Sequence, residues 1–215
     1  MVLPGYILHG YWRSSAAYRV RLGLELKGLA YDQAPHDLRK DEQKAEAYRA
    51  LNPQGLVPAL QVGDRVLTQS PAILEWLEET HPTPALLPGA PTDRATVRAM
   101  AALIACDIHP LNNLRVVNAL RGDFGADQAA VDRWAGGWIT PGFRALETMV
   151  GADGWCFGPS PTLADCYLIP QLYSARRFNV ALEDFPTLLA IEARALAHPA
   201  FQRAHPDRQP DADQG

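Results

Sequence analysis

An α/β domain followed by an all-α domain is the architecture that this 215-residue sequence predicts. Three observations carry the prediction. Over the first eighty residues, stretches of period-2 alternation exchange with stretches of period 3.6, as strands and helices in turn require. Four prolines then crowd the stretch from His81 to Pro91, where periodicity fades and a domain boundary is expected. Beyond it every periodic segment is helical. The expected division is therefore 1–82 as the α/β domain, 83–91 as linker, and 92–215 as an all-α domain with a polar tail.

Taken in order, Tyr6 to His9 reads as the first strand. Ser14 or Ser15 caps the helix that follows, in which Val20, Leu22, Leu24 and Leu26 mix with Arg19, Arg21, Glu25 and Lys27, and Gly28 stops it. Tyr31 to His36 is a second strand, and Glu42 to Leu51 a short charged helix or loop ending at Asn52-Pro53. Val57 to Val62 and Arg65 to Thr68 flank Gly63-Asp64, which suits a hairpin. Ser70-Pro71 opens a third helix, with serine at the cap and proline at the first helical position, and Ile73, Leu74, Trp76 and Leu77 as its apolar face.

In the second domain, helical spacing runs over Thr92–Leu120, Asp127–Val150, Thr162–Arg177 and Phe185–Ala197. Thr162-Leu163-Ala164-Asp165 is a capping box, in which the two side chains satisfy each other's free backbone donors. The tail from His205 onward is polar and is expected to be loosely ordered.

Bulk composition narrows the function. A chain of this length, 47% hydrophobic and 20% charged, is far from a disordered composition and can bury a core. A net charge of −4 and a pI near 5.8 leave no electrostatic footprint for nucleic acid or an anionic membrane, so small ligands are the expected partners. No stretch approaches the roughly 18 apolar residues of a membrane span, and residues 1–8 have neither the basic nor the apolar region of a signal peptide. A cytoplasmic location follows as an expectation. Cys106, Cys156 and Cys166 are an odd set without paired metal spacing, and read as small buried hydrophobes rather than disulfide or metal ligands.

In a sheet built from β-α-β and β-β units, ligands gather where strands end and helix N-termini point free N–H groups outward. Arg13-Ser14-Ser15 after the first strand and Gln69-Ser70 after the fourth are two such places. Between them in sequence, Val57-Pro58 precedes a strand, where a cis bond would turn backbone groups toward a ligand. Each serine taken alone reads as a plain helix cap.

The string Ser14-Ser15-Ala16-Ala17-Tyr18-Arg19-Val20-Arg21, with Val57-Pro58 and Gln69-Ser70, resembles the zeta-class glutathione transferases. The resemblance extends through Leu51-Asn52-Pro53, Thr83-Pro84, Asp107-Ile108-His109-Pro110-Leu111-Asn112-Asn113 and Thr162-Leu163-Ala164-Asp165, nearly the whole chain. It implies a thioredoxin-like N-terminal domain, a helical C-terminal domain and a homodimer. It also implies glutathione as cofactor, a small dicarboxylic substrate, and glutathione-dependent cis–trans isomerisation of maleylacetoacetate or maleylpyruvate in aromatic catabolism.

By the same resemblance, Pro58 is cis and the backbone of Val57 pairs with the glutathione cysteinyl unit. Gln69 and Ser70 hold the γ-glutamyl carboxylate, Gln43 meets the glycine end, and His109 and Asn113, at i and i+4 on the first long helix, are further glutathione contacts. A thiol with a pKa of about 8.5 needs help to ionise at neutral pH, and a hydroxyl at a helix N-terminus supplies it. Ser14 is the expected donor, with Ser15 second; Tyr6 and Tyr11 read as structural.

Arg13, Arg115, Arg176 and Arg177 are the candidates to clamp the substrate's carboxylates. Where many family members carry a cysteine after the serine pair, this chain has Ala16, so the reacting sulfur must come from glutathione. A broader zeta-like transferase or dehalogenase, or a non-catalytic glutathione-binding protein, would share much of this site. Retention of the arginines speaks against the last, and the absence of any cysteine before Cys106 disfavours a disulfide oxidoreductase.

Overall fold

Residues 5–213 are described by the computed structural model. The chain forms two compact units, one made of the residues up to Ala85 together with those from Leu196 onward, the other of Leu86–Ala195. Among the described residues, no helix is long and apolar enough to cross a membrane.

The first unit is built on four strands, β1 (Tyr6–Gly10), β2 (Tyr31–Pro35), β3 (Ala59–Val62) and β4 (Arg65–Thr68), in the order β2-β1-β3-β4. β1 and β2 are parallel, and β3 runs antiparallel to both β1 and β4. Its first two helices are α1 (Ser15–Leu26) and α2 (Glu46–Leu51), and α3 (Ser70–Thr80) follows the hairpin. Alternate residues of β1 serve opposite faces. Tyr6 stacks edge-on against Trp76 of α3, whereas His9 meets Tyr48 of α2. Gly28, at φ 66°, ends α1 in the left-handed conformation that glycine adopts at least cost, and Gly63 turns the β3–β4 hairpin in the same way.

α1 departs from a simple amphipathic helix, because Arg19, Arg21 and Lys27 are buried along with its leucines. Each has a built partner. Arg19 donates to Ser70 Oγ, Arg21 donates to the carbonyls of Ala204 and Trp12, and Lys27 bridges Glu78 and the Pro84 carbonyl. Burying such cations without acceptors would cost several kcal/mol, on the order of the whole stability of a domain.

The second unit holds α4 (Pro91–Ala102), α5 (Leu114–Gly122), α6 (Gln128–Met149), α7 (Leu163–Arg177) and α8 (Pro186–Ala197). The capping box is formed as expected. Buried Asp165 accepts from the Thr162 N–H and hydroxyl at 2.7 and 2.9 Å, and also takes the Cys156 N–H at 2.9 Å. Cys156 and Cys166 are buried as expected, but Cys106 is exposed.

Three expectations are corrected. The single helix expected over Thr92–Leu120 is broken after Ala102 by a π-helical stretch, Leu103–Ile108, and a 3-10 turn, His109–Leu111. Gly142 of α6 leaves no room for a Cβ beside Ile108, so the wider π turn packs directly on α6. The expected α-domain does not run to the end of the chain, since α9 (Pro199–Ala204) packs on α1 of the first unit. The tail is not loose either: Gln209 is buried and bonded to the carbonyls of Arg203 and His205, and Asp211 accepts from the Trp12 N–H at 2.9 Å.

Candidate active site

The register of the sheet brings four connections to one edge. His9 at the end of β1 lies opposite both Ala34 near the end of β2 and Ala59 at the start of β3, and Ala59 lies opposite Thr68 at the end of β4. The turn 11–14, the loop 36–45, the Val57-Pro58 step and the Gln69-Ser70 step therefore leave the sheet side by side. Val57-Pro58 is cis, as is Thr83-Pro84.

At the first of these places Ser14 is the N-cap of α1. Its Oγ accepts the Ala17 N–H at 3.3 Å, and its own N–H donates to the Tyr11 carbonyl at 3.0 Å. Acceptance uses a lone pair and leaves the hydroxyl proton for another partner. Ser15 is the first helical residue and is buried. Arg13 is half-buried, its guanidinium 5.3 Å from the centre of the Trp12 ring.

At the α3 N-terminus the cap is Gln69, not Ser70. Gln69 takes φ 68°, a left-handed conformation unusual for a residue with a Cβ, and makes no side-chain cap. Strain of this kind gathers at ligand sites. Ser70 becomes the first helical residue, buried and held by Arg19. Pro71 brings no N–H, so the opening of α3 offers uncapped main-chain donors beside the positive end of its dipole, a setting that suits a carboxylate. The Gln69 amide donates to Gln54 at 2.6 Å.

Gln43 lies in a 3-10 turn behind Asp41, buried, with its amide donating weakly to Asp41 at 3.3 Å and its Oε1 without a hydrogen-bond partner. The loop carrying Val57 is pinned from below, where Tyr48 and Asn52 both donate to the Leu56 carbonyl at 2.6 and 2.7 Å. His9 and His36 share a 3.1 Å hydrogen bond, and the His36 ring lies 4.3 Å from that of Tyr48. Burial holds both imidazoles below their ordinary pKa, and for His36 the neighbouring His9 adds to the effect.

The other expected residues belong to the second unit. His109 opens the 3-10 turn and Asn113 caps α5 by accepting the Val116 N–H at 3.2 Å, so the two do not share one helix face as the spacing implied. Arg115 is exposed on α5. Arg176 is taken up by a bidentate pair with Glu192 of α8, which removes it from the candidates for a substrate carboxylate, while Arg177 is exposed at the end of α7. A hollow of about 400 Å³ in this unit, lined by Leu103, Cys106, Asp107, Ile108, Trp138 and Pro141, holds a carboxylate and no cation. It is poorly suited to a diacid.

The histidine pair, the buried Arg19 and the partner of Gln69 were not foreseeable from residue pattern, and the two tyrosines look alike in the sequence. Tyr6 is structural, hydrogen-bonded to His81 at 2.8 Å, but the buried Tyr11 hydroxyl has no partner. Only the position of Gln54, in the turn after Asn52-Pro53, offered a local signal.

The family models for the glutathione S-transferase N-terminal and C-terminal domains match residues 13–80 and 128–203. A maleylpyruvate isomerase of Ralstonia sp. is 51% identical over 209 residues, 95% of this chain and 99% of that protein. A maleylacetoacetate isomerase of Pseudomonas aeruginosa is 53% identical over 207 residues, 95% and 97% of the two chains. Among solved structures, the holo form of a zeta-class bacterial maleylpyruvate isomerase superposes with a TM-score of 0.94 at 50% identity, covering 96% of this chain and all of the other. A maleylacetoacetate isomerase of Anaeromyxobacter dehalogenans with glutathione in its active site gives 0.88 at 48% identity, covering 98% and 100%.

Proposed function

The chain belongs to the glutathione S-transferase family, in its zeta class, and from that premise we propose that it is a glutathione-dependent cis–trans isomerase of maleylacetoacetate or maleylpyruvate. One observation carries the reading. A serine-capped helix N-terminus, a cis Val57-Pro58 step and an uncapped helix N-terminus at Gln69-Ser70 leave the same edge of one sheet.

The residues present fit glutathione. The open donors at the start of α3 suit its γ-glutamyl carboxylate, the backbone of Val57 suits an extended peptide unit, and the unpartnered Oε1 of buried Gln43 suits an N–H at the glycine end. When bound, glutathione supplies a thiolate that adds reversibly to the cis double bond, so that rotation about the resulting single bond and loss of the thiolate give the trans diacid.

The protein's own part is electrostatic. Ser14, whose hydroxyl proton is not used by its cap, would donate to the sulfur of bound glutathione and, with the positive end of α1, would favour the thiolate. Arg13, Arg115 and Arg177 neutralise the carboxylates and the charge that develops on the carbonyl oxygen. Ala16 offers no thiol of its own, so the sulfur is borrowed and returned. Roles for Ser15, His109 and Asn113 in the same binding, a homodimer and a cytoplasmic location complete the reading.

The test is turnover. Purified protein is supplied with each cis diacid, with and without glutathione, and loss of the cis chromophore is followed. Isomerisation of at least one diacid only when glutathione is present is the expected result; turnover without it would refute the mechanism.

A further inference from the structure

Tyr11 and Trp12 end in buried polar groups that the described chain does not satisfy. The residues are 5% and 8% exposed, and apart from the approach of the Trp12 indole N–H to the Tyr11 oxygen, neither polar group has a hydrogen-bond partner in the described chain. Their rings lie 5.9 Å apart. A buried donor left unmatched costs about 1–3 kcal/mol, so the Tyr11 hydroxyl proton calls for a reason.

Two guanidiniums flank them. The guanidinium of Arg39 lies 5.9 Å from the centre of the Tyr11 ring and that of Arg13 lies 5.3 Å from the centre of the Trp12 ring. Asp37 and Asp213, which both pair with Arg39, and Asp211 at the Trp12 N–H are the opposing charges nearby. The same turn already takes one carboxylate, since Asp211 accepts the main-chain N–H of Trp12. The carbonyl of Tyr11 accepts from Ser14, which ties this pair to the residue assigned to the thiolate. Burial pushes the Tyr11 hydroxyl above its ordinary pKa, so it stays protonated at neutral pH and remains a donor.

We propose that the Tyr11 hydroxyl, with the Trp12 indole N–H beside it, receives a carboxylate oxygen of the diacid next to Arg13. The proposal rests on the isomerase reading above and adds a neutral donor pair to its cations. A guanidinium supplies charge. A phenol and an indole supply direction, because each has one N–H or O–H fixed by a packed ring. The γ-glutamyl carboxylate of glutathione is assigned to the opening of α3 and its glycine end to the turn of Gln43, which leaves the diacid as the occupant.

Tyr11→Phe in the full chain tests it. For the diacid, kcat/KM is expected to fall about tenfold or more, mostly through KM, as loss of a hydrogen bond to a charged group implies. Glutathione affinity by calorimetry is expected to stay unchanged, and Tm to hold or rise, because the hydroxyl proton is donated to no protein group. A variant with kcat/KM within about twofold of the unaltered protein would overturn the proposal. So would a weakened glutathione complex, which would give the donor to the cofactor, or a lowered Tm, which would make the hydroxyl structural. Failure of the isomerase reading is distinguishable, since the unaltered protein would then turn over neither diacid.

Discussion

Ser14 shows how one hydroxyl serves folding and chemistry together. Its lone pair caps α1 at 3.3 Å, and its proton is left for a ligand. Ser14→Ala is expected to cost about 1 kcal/mol of stability through the lost cap. It should also raise the pKa of the bound glutathione thiol by about 1 unit, read from the pH dependence of thiolate absorbance. Ser14→Thr should preserve both properties, and Ser15→Ala should leave the thiol pKa where it was. An unshifted thiol in Ser14→Ala would move the assignment away from this residue. The cap was legible because capping is a local matter of residue type and position. Gln69 was not: Ser70-Pro71 is the better local start signal, but Ser70 is drawn inside by Arg19 from another helix, and the cap moves back one residue into a left-handed conformation. Arg176 misled for a similar reason, since its partner Glu192 is 16 positions away on α8.

Elements held by their own periodicity and punctuation were read well from sequence: α1, the hairpin, α6 and the capping box of α7 have bounds within a few residues of those expected. The break between α4 and α5 was not legible, because nothing local marks a π turn at Leu103–Ile108, where Ile108 packs closely over Gly142 of α6. The histidine pair was missed because His9 and His36 come from different strands' ends and meet only in the folded sheet. That pair has a consequence for pH. Tyr48 of α2, Gln61 of β3 and Glu42 of the preceding loop are the groups acting on it, and burial depresses both imidazoles below the ordinary value near 6.5. A group whose folded pKa is lowered takes up more protons unfolded than folded in the window below its unfolded pKa. Stability is therefore complete above about pH 6.5 and declines as pH falls through the depressed folded values. Asp37, held down at about 2 by Arg39, loses its contribution only in stronger acid, so the two effects separate. Melting temperatures measured between pH 7 and 5 should fall toward the acid end, and His36→Asn should flatten that slope. An unchanged slope would remove the pair as its source.

At the scale of the molecule, the two units part at Ala85–Leu86, within the proline-rich stretch, and the return of the chain to its first unit was not readable, because α9 is six residues long and weakly periodic. Its contribution lies in what it covers. Phe201 and Ala204 are fully buried, the Ala204 carbonyl accepts from the buried Arg21 guanidinium at 3.0 Å, Arg203 pairs with Glu25, and Gln209 meets Gln33 at 3.0 Å. A chain ended after Ala195 loses all of these together. Burial of one phenylalanine contributes about 2–3 kcal/mol, and a buried guanidinium stripped of an acceptor costs about 1–3 kcal/mol more, a sum close to the whole stability of many domains. Leu86–Ala195 has a core of its own, with Phe143 and Phe185 packed edge to face at 5.6 Å. The shortened protein should keep most of its helical circular dichroism but melt in two steps and lose glutathione binding. Ending the chain after Arg208 removes only the polar contacts of Gln209, Asp211 and Asp213, and should leave one cooperative transition. Retention of glutathione affinity by the chain ended after Ala195 would mean that the α/β unit supports its ligand edge without the C-terminal helix.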